Sequence, residues 1–124
     1  MEKITHQEEE VLLIIFRHGK GFIRDFIKSM DEPRPPYTTV ASIVKNLERK
    51  GFVKGKHYTN TYEYSPTMDE SEFKSKYMSN VVDNFFGKSY KELVSFFVEE
   101  QKISTKDLQE IIDLIEMKKN STHE

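Results

Sequence analysis

The sequence contains no cysteine, which removes disulfide frameworks, thiolate metal sites and cysteine nucleophiles together. Long hydrophobic runs are missing too. The longest, Val11 to Phe16, falls far short of the ~20 residues that span a bilayer. Met1 to His6 lacks the basic start and apolar stretch of a secretory signal, so a soluble cytoplasmic protein is expected. Arg17-His18-Gly19-Lys20-Gly21 has two glycines but none of the further features of a phosphate loop or a dinucleotide-binding turn. The histidines, His6, His18, His57 and His123, stand at no metal-ligand spacing, and no nucleophile elbow occurs. No enzyme, metal or cofactor is expected.

What is present is charge, 32% of the residues against 36% hydrophobic ones, at a net −2. In 124 residues that mix suits a helical protein with a modest core, or one that completes its core by oligomerising. The charge is unevenly placed. Residues 1–66 are net +2 and residues 67–124 net −4. Between Arg34 and Asn60, six cations (Arg34, Lys45, Arg49, Lys50, Lys54, Lys56) face the single acid Glu48. A basic footprint confined to one segment of an acidic chain points to a polyanionic partner.

That segment contains an amphipathic helix. Val40, Ile43, Val44 and Leu47 recur at i, i+3, i+4 and i+7. The opposite face collects Thr38, Ser42, Lys45 and Arg49, flanked by Thr39 and Asn46. Hydroxyls and amides suit base edges, while Lys and Arg suit phosphate. A merely solvated surface helix has the same pattern, so its neighbours decide. A first helix is expected from a Thr5–Glu8 capping box, with Glu8, Glu9 and Glu10 in the first turn and Val11 to Phe16 buried. A short second helix covers Phe22 to Met30, and the prolines of Asp31 to Pro36 lead into the third, which Gly51 closes. Phe52-Val53-Lys54 and Thr61 to Ser65 read as short strands around a polar, turn-rich Gly55 to Asn60. Tyr62 and Tyr64 are expected to pack this hairpin onto helix one rather than to stack nucleotides. Three helices and a hairpin are the order of a winged helix-turn-helix. In that fold the third helix enters the major groove, and Lys54, Lys56 and His57 of the hairpin are available to phosphate.

After Pro66 the pattern is helical only. Phe73, Tyr77, Val81 and Phe85 recur every four residues between Asp69 and Phe86, with Gly87 as a break. Leu93, Val94, Phe96, Phe97 and Val98 mark a helix over Ser89 to Glu100. Leu108, Ile111, Ile112 and Ile115 mark another, started by Ser104 to Asp107, before a polar tail from Met117 that is expected to fray. About 55 residues make a marginal core alone, so pairing with a second copy through Phe73, Tyr77, Val81, Phe85, Leu93, Phe97, Leu108, Ile111 and Ile115 is expected. The fold class is therefore mainly α with a small β-hairpin: a winged-helix DNA-binding domain over 1–66 and a helical dimerisation domain over 67–124. Two other functions fit the pattern: a winged-helix protein-interaction module, and a regulator binding a ligand among the aromatics Phe73, Tyr77, Phe85, Phe86, Phe96 and Phe97.

Four stretches resemble the penicillinase-repressor type of winged-helix regulators, which includes the β-lactamase and methicillin-resistance repressors. They are Glu8-x-Glu10-Val11 through Phe16, Thr39-Val40, Leu47-Glu48-Arg49-Lys50-Gly51-Phe52-Val53 and Tyr64-Ser65-Pro66. The resemblance implies a homodimeric repressor on a palindromic operator in double-stranded DNA, controlling resistance or stress genes. It also implies relief by cleavage in the C-terminal region through a membrane-bound sensor metalloprotease. Three departures qualify it. The scissile Asn-Phe of well-known members is matched here by Phe96-Phe97. Their wing Gly-Arg is matched by Thr59-Asn60. The cysteines of copper-responsive members have no counterpart.

Overall fold

The computed structural model describes residues 3–122, with side chains to residue 120. His123 therefore lies outside the described residues. The chain forms two compact units, one ending at Ser75 and the other starting at Lys76.

The first unit holds α1 (His6–His18), α2 (Ile23–Lys28), α3 (Tyr37–Arg49), β1 (Val53–Tyr58) and β2 (Thr61–Pro66), with the first turns of α4 (Glu70–Phe85). Helix α1 starts at the expected capping box: Glu8 N donates to Thr5 Oγ1 at 3.1 Å, and Thr5 N donates to Glu8 Oε1 at 3.0 Å. Val11, Leu12 and Ile15 of α1, Ile23 and Phe26 of α2, and Val40, Val44 and Leu47 of α3 converge on one core. Three helices crossing around one apolar cluster leave each helix a polar outer face. Helix α3 ends as its sequence directs. Gly51 has φ +87°, the left-handed conformation glycine adopts at no steric cost. Gly51 N donates to Glu48 O at 3.0 Å and Phe52 N to Leu47 O at 2.9 Å, which together satisfy the last carbonyls as a Schellman motif.

The strands are longer than expected. Gly55 to Tyr58, read as turn, lies in β1, and only Thr59 and Asn60 connect the strands. The antiparallel ladder from Val53↔Pro66 to Tyr58↔Thr61 overrides the low strand propensity of this polar stretch. Gly55 is small for a reason: a Cβ there would lie 3.0 Å from the Tyr64 ring and 3.1 Å from Glu48 Oε2. The turn after α1 also does more than turn. Gly21 exchanges two backbone hydrogen bonds with Tyr64, at 2.9 and 2.7 Å, adding an isolated bridge on the free edge of β2.

Phe73 differs from expectation in the same way. Its ring packs 5.7 Å from Phe16 and 5.8 Å from Phe52, so it completes the core of the first unit and is not presented to a second copy. A four-residue stripe that continues along α4 cannot say which core each member joins.

The second unit contains the rest of α4, α5 (Tyr90–Glu99) and α6 (Thr105–Thr122). Gly87 and Lys88 have positive φ at the expected break. Ser89 caps α5 through Glu92 N at 3.1 Å. Ser104 and Asp107 exchange side-chain to backbone bonds at the start of α6. The tail from Met117 is not frayed as expected, since α6 continues to Thr122. No helix among the described residues is long and apolar enough to cross a membrane.

Candidate nucleic-acid interface

Helix α3 carries the site because its two faces are cleanly divided. Val40, Val44 and Leu47 are buried, while Thr38, Thr39, Ser42, Lys45, Asn46 and Arg49 are all exposed on the other side. Period 3.6 fixes that separation: once the apolar stripe is in the core, the polar face has nowhere to go but solvent. Tyr37, not singled out from sequence, stands exposed in the first turn beside Thr38.

The six cations of the basic segment are not equivalent. Lys50 turns inward, its Nζ 2.6 Å from Glu8 Oε1 and 2.8 Å from Lys3 O, with both side chains of the pair nearly buried. Burial pushes the Glu8 carboxyl up, but hydrogen bonds from Lys50 and Thr5 and the ammonium charge outweigh it and hold the group below the usual carboxylate value. Glu8 is thus both helix start and anchor for the end of α3. Arg34 donates to Met30 O and Lys28 O, both at 3.1 Å, and lies 3.7 Å from Glu32. A charge count along the sequence treats the two alike, whereas the fold buries Lys50 against Glu8 and leaves Arg34 on the surface, tied to its own carbonyls.

Lys45 lies where α3 meets the hairpin. Its Nζ is 4.8 Å above the centre of the Tyr62 ring and 3.5 Å from Glu48 Oε1. The Tyr64 phenol and the Glu48 carboxylate keep its ammonium above the usual lysine value, against partial burial. Tyr64 itself is buried, which pushes its phenol up, while Lys45 pulls the other way. Tyr64 packs in the core as expected; Tyr62 is 41% exposed and lies beside Lys45 of α3.

Strand alternation divides the remaining expected residues. His57 shares the face of Tyr62 and Tyr64, with its ring 4.9 Å from Tyr62. Lys54 and Lys56 take the opposite face with Tyr58 and Glu63. There Lys56 Nζ lies 5.4 Å from the Tyr58 ring centre, and Tyr58 Oη is 3.4 Å from Glu63 Oε1. The structure therefore brings Lys45 and His57 together through Tyr62 and keeps Lys54 and Lys56 apart from them. A recess of about 180 Å³ lined by Tyr37, Ala41, Lys45, Asn60 and Tyr62, among others, separates α3 from the hairpin tip. The contact between Tyr62 and Lys45 has no local signal in the sequence, because the two lie seventeen positions apart.

In the second unit, Tyr77, Phe85, Phe97, Ile111 and Ile115 are exposed, and Val81, Leu93 and Leu108 are half-buried. Phe96 and Phe97 lie within α5 and are exposed as well. Among the described residues, no group of His, Asp and Glu side chains could hold a metal ion.

The sequence pattern of the penicillinase repressor family matches residues 4–117. The methicillin resistance regulatory protein MecI of Mammaliicoccus sciuri is 24% identical over 117 residues, covering 94% of this chain and 95% of the relative. The penicillinase repressor of Bacillus licheniformis is 22% identical over 123 residues, covering 98% and 96%. Among solved structures, the ligand-free organohalide-sensing RdhR-CbdbA1625 transcriptional regulator gives a TM-score of 0.49. It is 11% identical over 97% of this chain and 65% of that one, a likeness too loose to bear on fold or function.

Proposed function

This chain belongs to the penicillinase repressor family, and we propose that it is a transcriptional repressor binding an operator in double-stranded DNA as a homodimer. The observation that carries this reading is the outer face of α3, where hydroxyls, an amide and two cations are all exposed on a helix held by its apolar side. Ser42, Thr38, Thr39 and Asn46 have the chemistry to reach base edges. Lys45 and Arg49 have the charge to meet phosphate, with Lys54, Lys56 and His57 on the hairpin as further phosphate contacts.

With so few cations on one copy, affinity rests on two copies acting together. The apolar side chains that the second unit leaves in solvent, Phe85 and Ile115 among them, supply the pairing surface, joined by Tyr77, Val81, Leu93, Phe97, Leu108 and Ile111. A two-fold dimer sets its two α3 helices in successive major grooves, so the operator is palindromic with half-sites about one helical turn, or a multiple, apart. By analogy with the family, the operon concerns resistance or stress, the protein acts in the cytoplasm, and repression ends when a membrane-bound sensor metalloprotease has the second unit cut near Phe96–Phe97. Helix α5 has no buried residue, so opening it for cleavage costs little.

The test is binding to duplex DNA from upstream of its own gene, titrated against salt. Counterion release makes affinity fall steeply as salt rises; no detectable binding even at low salt would remove the repressor reading. Incubation with the product of a neighbouring membrane-protease gene, followed by mass spectrometry, locates any cut.

A further inference from the structure

Tyr62 sits near the hairpin tip at a strand position that any polar β-former could fill. Nevertheless it carries a large ring, held on one side of the strand with His57 at 4.9 Å and Tyr64 at 6.2 Å between ring centres. The Lys45 ammonium stands 4.8 Å above that ring. Lysine is a charge on a flexible four-carbon stem, and besides the Tyr64 phenol, which acts on it from the core side, Lys45 has a competing partner one turn along its own helix, the Glu48 carboxylate at 3.5 Å. An ammonium drawn fully onto Glu48 is neutralised and turned back toward the hairpin base, where Glu48 approaches Gly55. The Tyr62 ring face offers the ammonium an attraction that leaves its charge unneutralised.

We propose that Tyr62 is a positioning residue for DNA binding: its ring holds the Lys45 ammonium at the junction of α3 and the hairpin, facing the phosphate backbone that runs between them. The role rests on the DNA-binding reading above and extends it to a residue that itself need not touch DNA. His57 steadies the ring from the neighbouring strand, so the hairpin and the recognition helix present one rigid cationic edge. This coupling also gives a function to a wing whose tip, Thr59-Asn60, carries no cation.

The experiment is a double-mutant cycle on binding of the full chain to the duplex upstream of its own gene, with Lys45→Met and Tyr62→Thr alone and combined. Threonine keeps strand propensity and removes the ring. Tyr62→Thr is expected to weaken binding about two- to fivefold, the size of an exposed cation–π contact. It is expected to cause no further loss in the Lys45→Met background, while Tyr62→Phe restores the parent affinity. Lys45 side-chain NMR on the free protein reads the geometry without DNA: the methylene resonances next to Nζ shift with the ring current in the parent and in Tyr62→Phe, and lose that shift in Tyr62→Thr. An equal loss from Tyr62→Thr in both backgrounds, failure of phenylalanine to restore binding, or Lys45 resonances indifferent to the ring would overturn the positioning role while leaving DNA binding intact. A parent chain that binds no duplex overturns the DNA reading itself, and the role with it.

Discussion

The two units of this chain treat apolar side chains in opposite ways. The first gathers twelve buried apolar residues into one cluster, from Val11 to Phe73. The second buries Val82 alone among its described residues, while thirteen large apolar side chains stand exposed there against three in the first. Both units are built from amphipathic segments. The difference is that the first closes its apolar faces on one another through three crossing helices and a hairpin, whereas α5 and α6 have more apolar surface than the unit alone can cover. A surface of that kind marks an interaction site. The first unit is thus complete as a fold; on the proposed reading it binds DNA weakly alone, and the second adds affinity by pairing.

The comparison predicts distinct responses to substitution. The largest is expected at Lys50→Met, which leaves the buried Glu8 carboxylate without its partner. Such a removal costs about 3–5 kcal/mol, measurable as a lower urea midpoint for the first unit at any protein concentration. Phe85→Ala, at a side chain 77% exposed in the single chain, should barely move that midpoint. Instead it should weaken self-association by ~1.5–3 kcal/mol, ten- to a hundredfold in the dimer dissociation constant by sedimentation. A Phe85→Ala variant that unfolds the first unit, or leaves association unchanged, would break the division of labour. Ser42→Ala should cost about 1–3 kcal/mol of discrimination between operator and random duplex if the hydroxyl reads a base; equal losses on both duplexes would contradict base reading. Arg49→Ala should weaken both duplexes alike and flatten the salt dependence.

The smallest effect is in pH. Because the folded state holds Glu8 below its usual value, the stabilisation is complete above the unfolded value, about 4.3. It is lost as pH falls through the folded one. The urea midpoint of the first unit should therefore drop in acid below pH 4, and Glu8→Gln should blunt that drop. An equal drop in both proteins would assign it to other carboxylates.

The residues of α3 could be read from sequence because a periodic helix with a buried stripe leaves its other face no choice. The capping box of α1, the glycine stop of α3 and the breaks between α4, α5 and α6 were legible for the same local reason. What was not legible depended on partners distant in the chain. Lys50 counted as a surface cation until the fold placed Glu8 beside it, and Phe73 counted with the pairing stripe until Phe16 and Phe52 claimed it. Gly55 to Tyr58 looked like turn because ladder pairing, not local propensity, makes it strand. Tyr62 showed no link to Lys45 because nothing in its neighbourhood along the chain names that partner.

We propose that a first unit too weak to hold DNA alone and a second unit that pairs two copies work as one repressor. Sedimentation equilibrium of the full chain with a duplex from upstream of its own gene tests it most directly, because the mass of the complex reports DNA binding and pairing at once. Two chains on one duplex are expected. One chain per duplex, or free DNA at low salt, would contradict it.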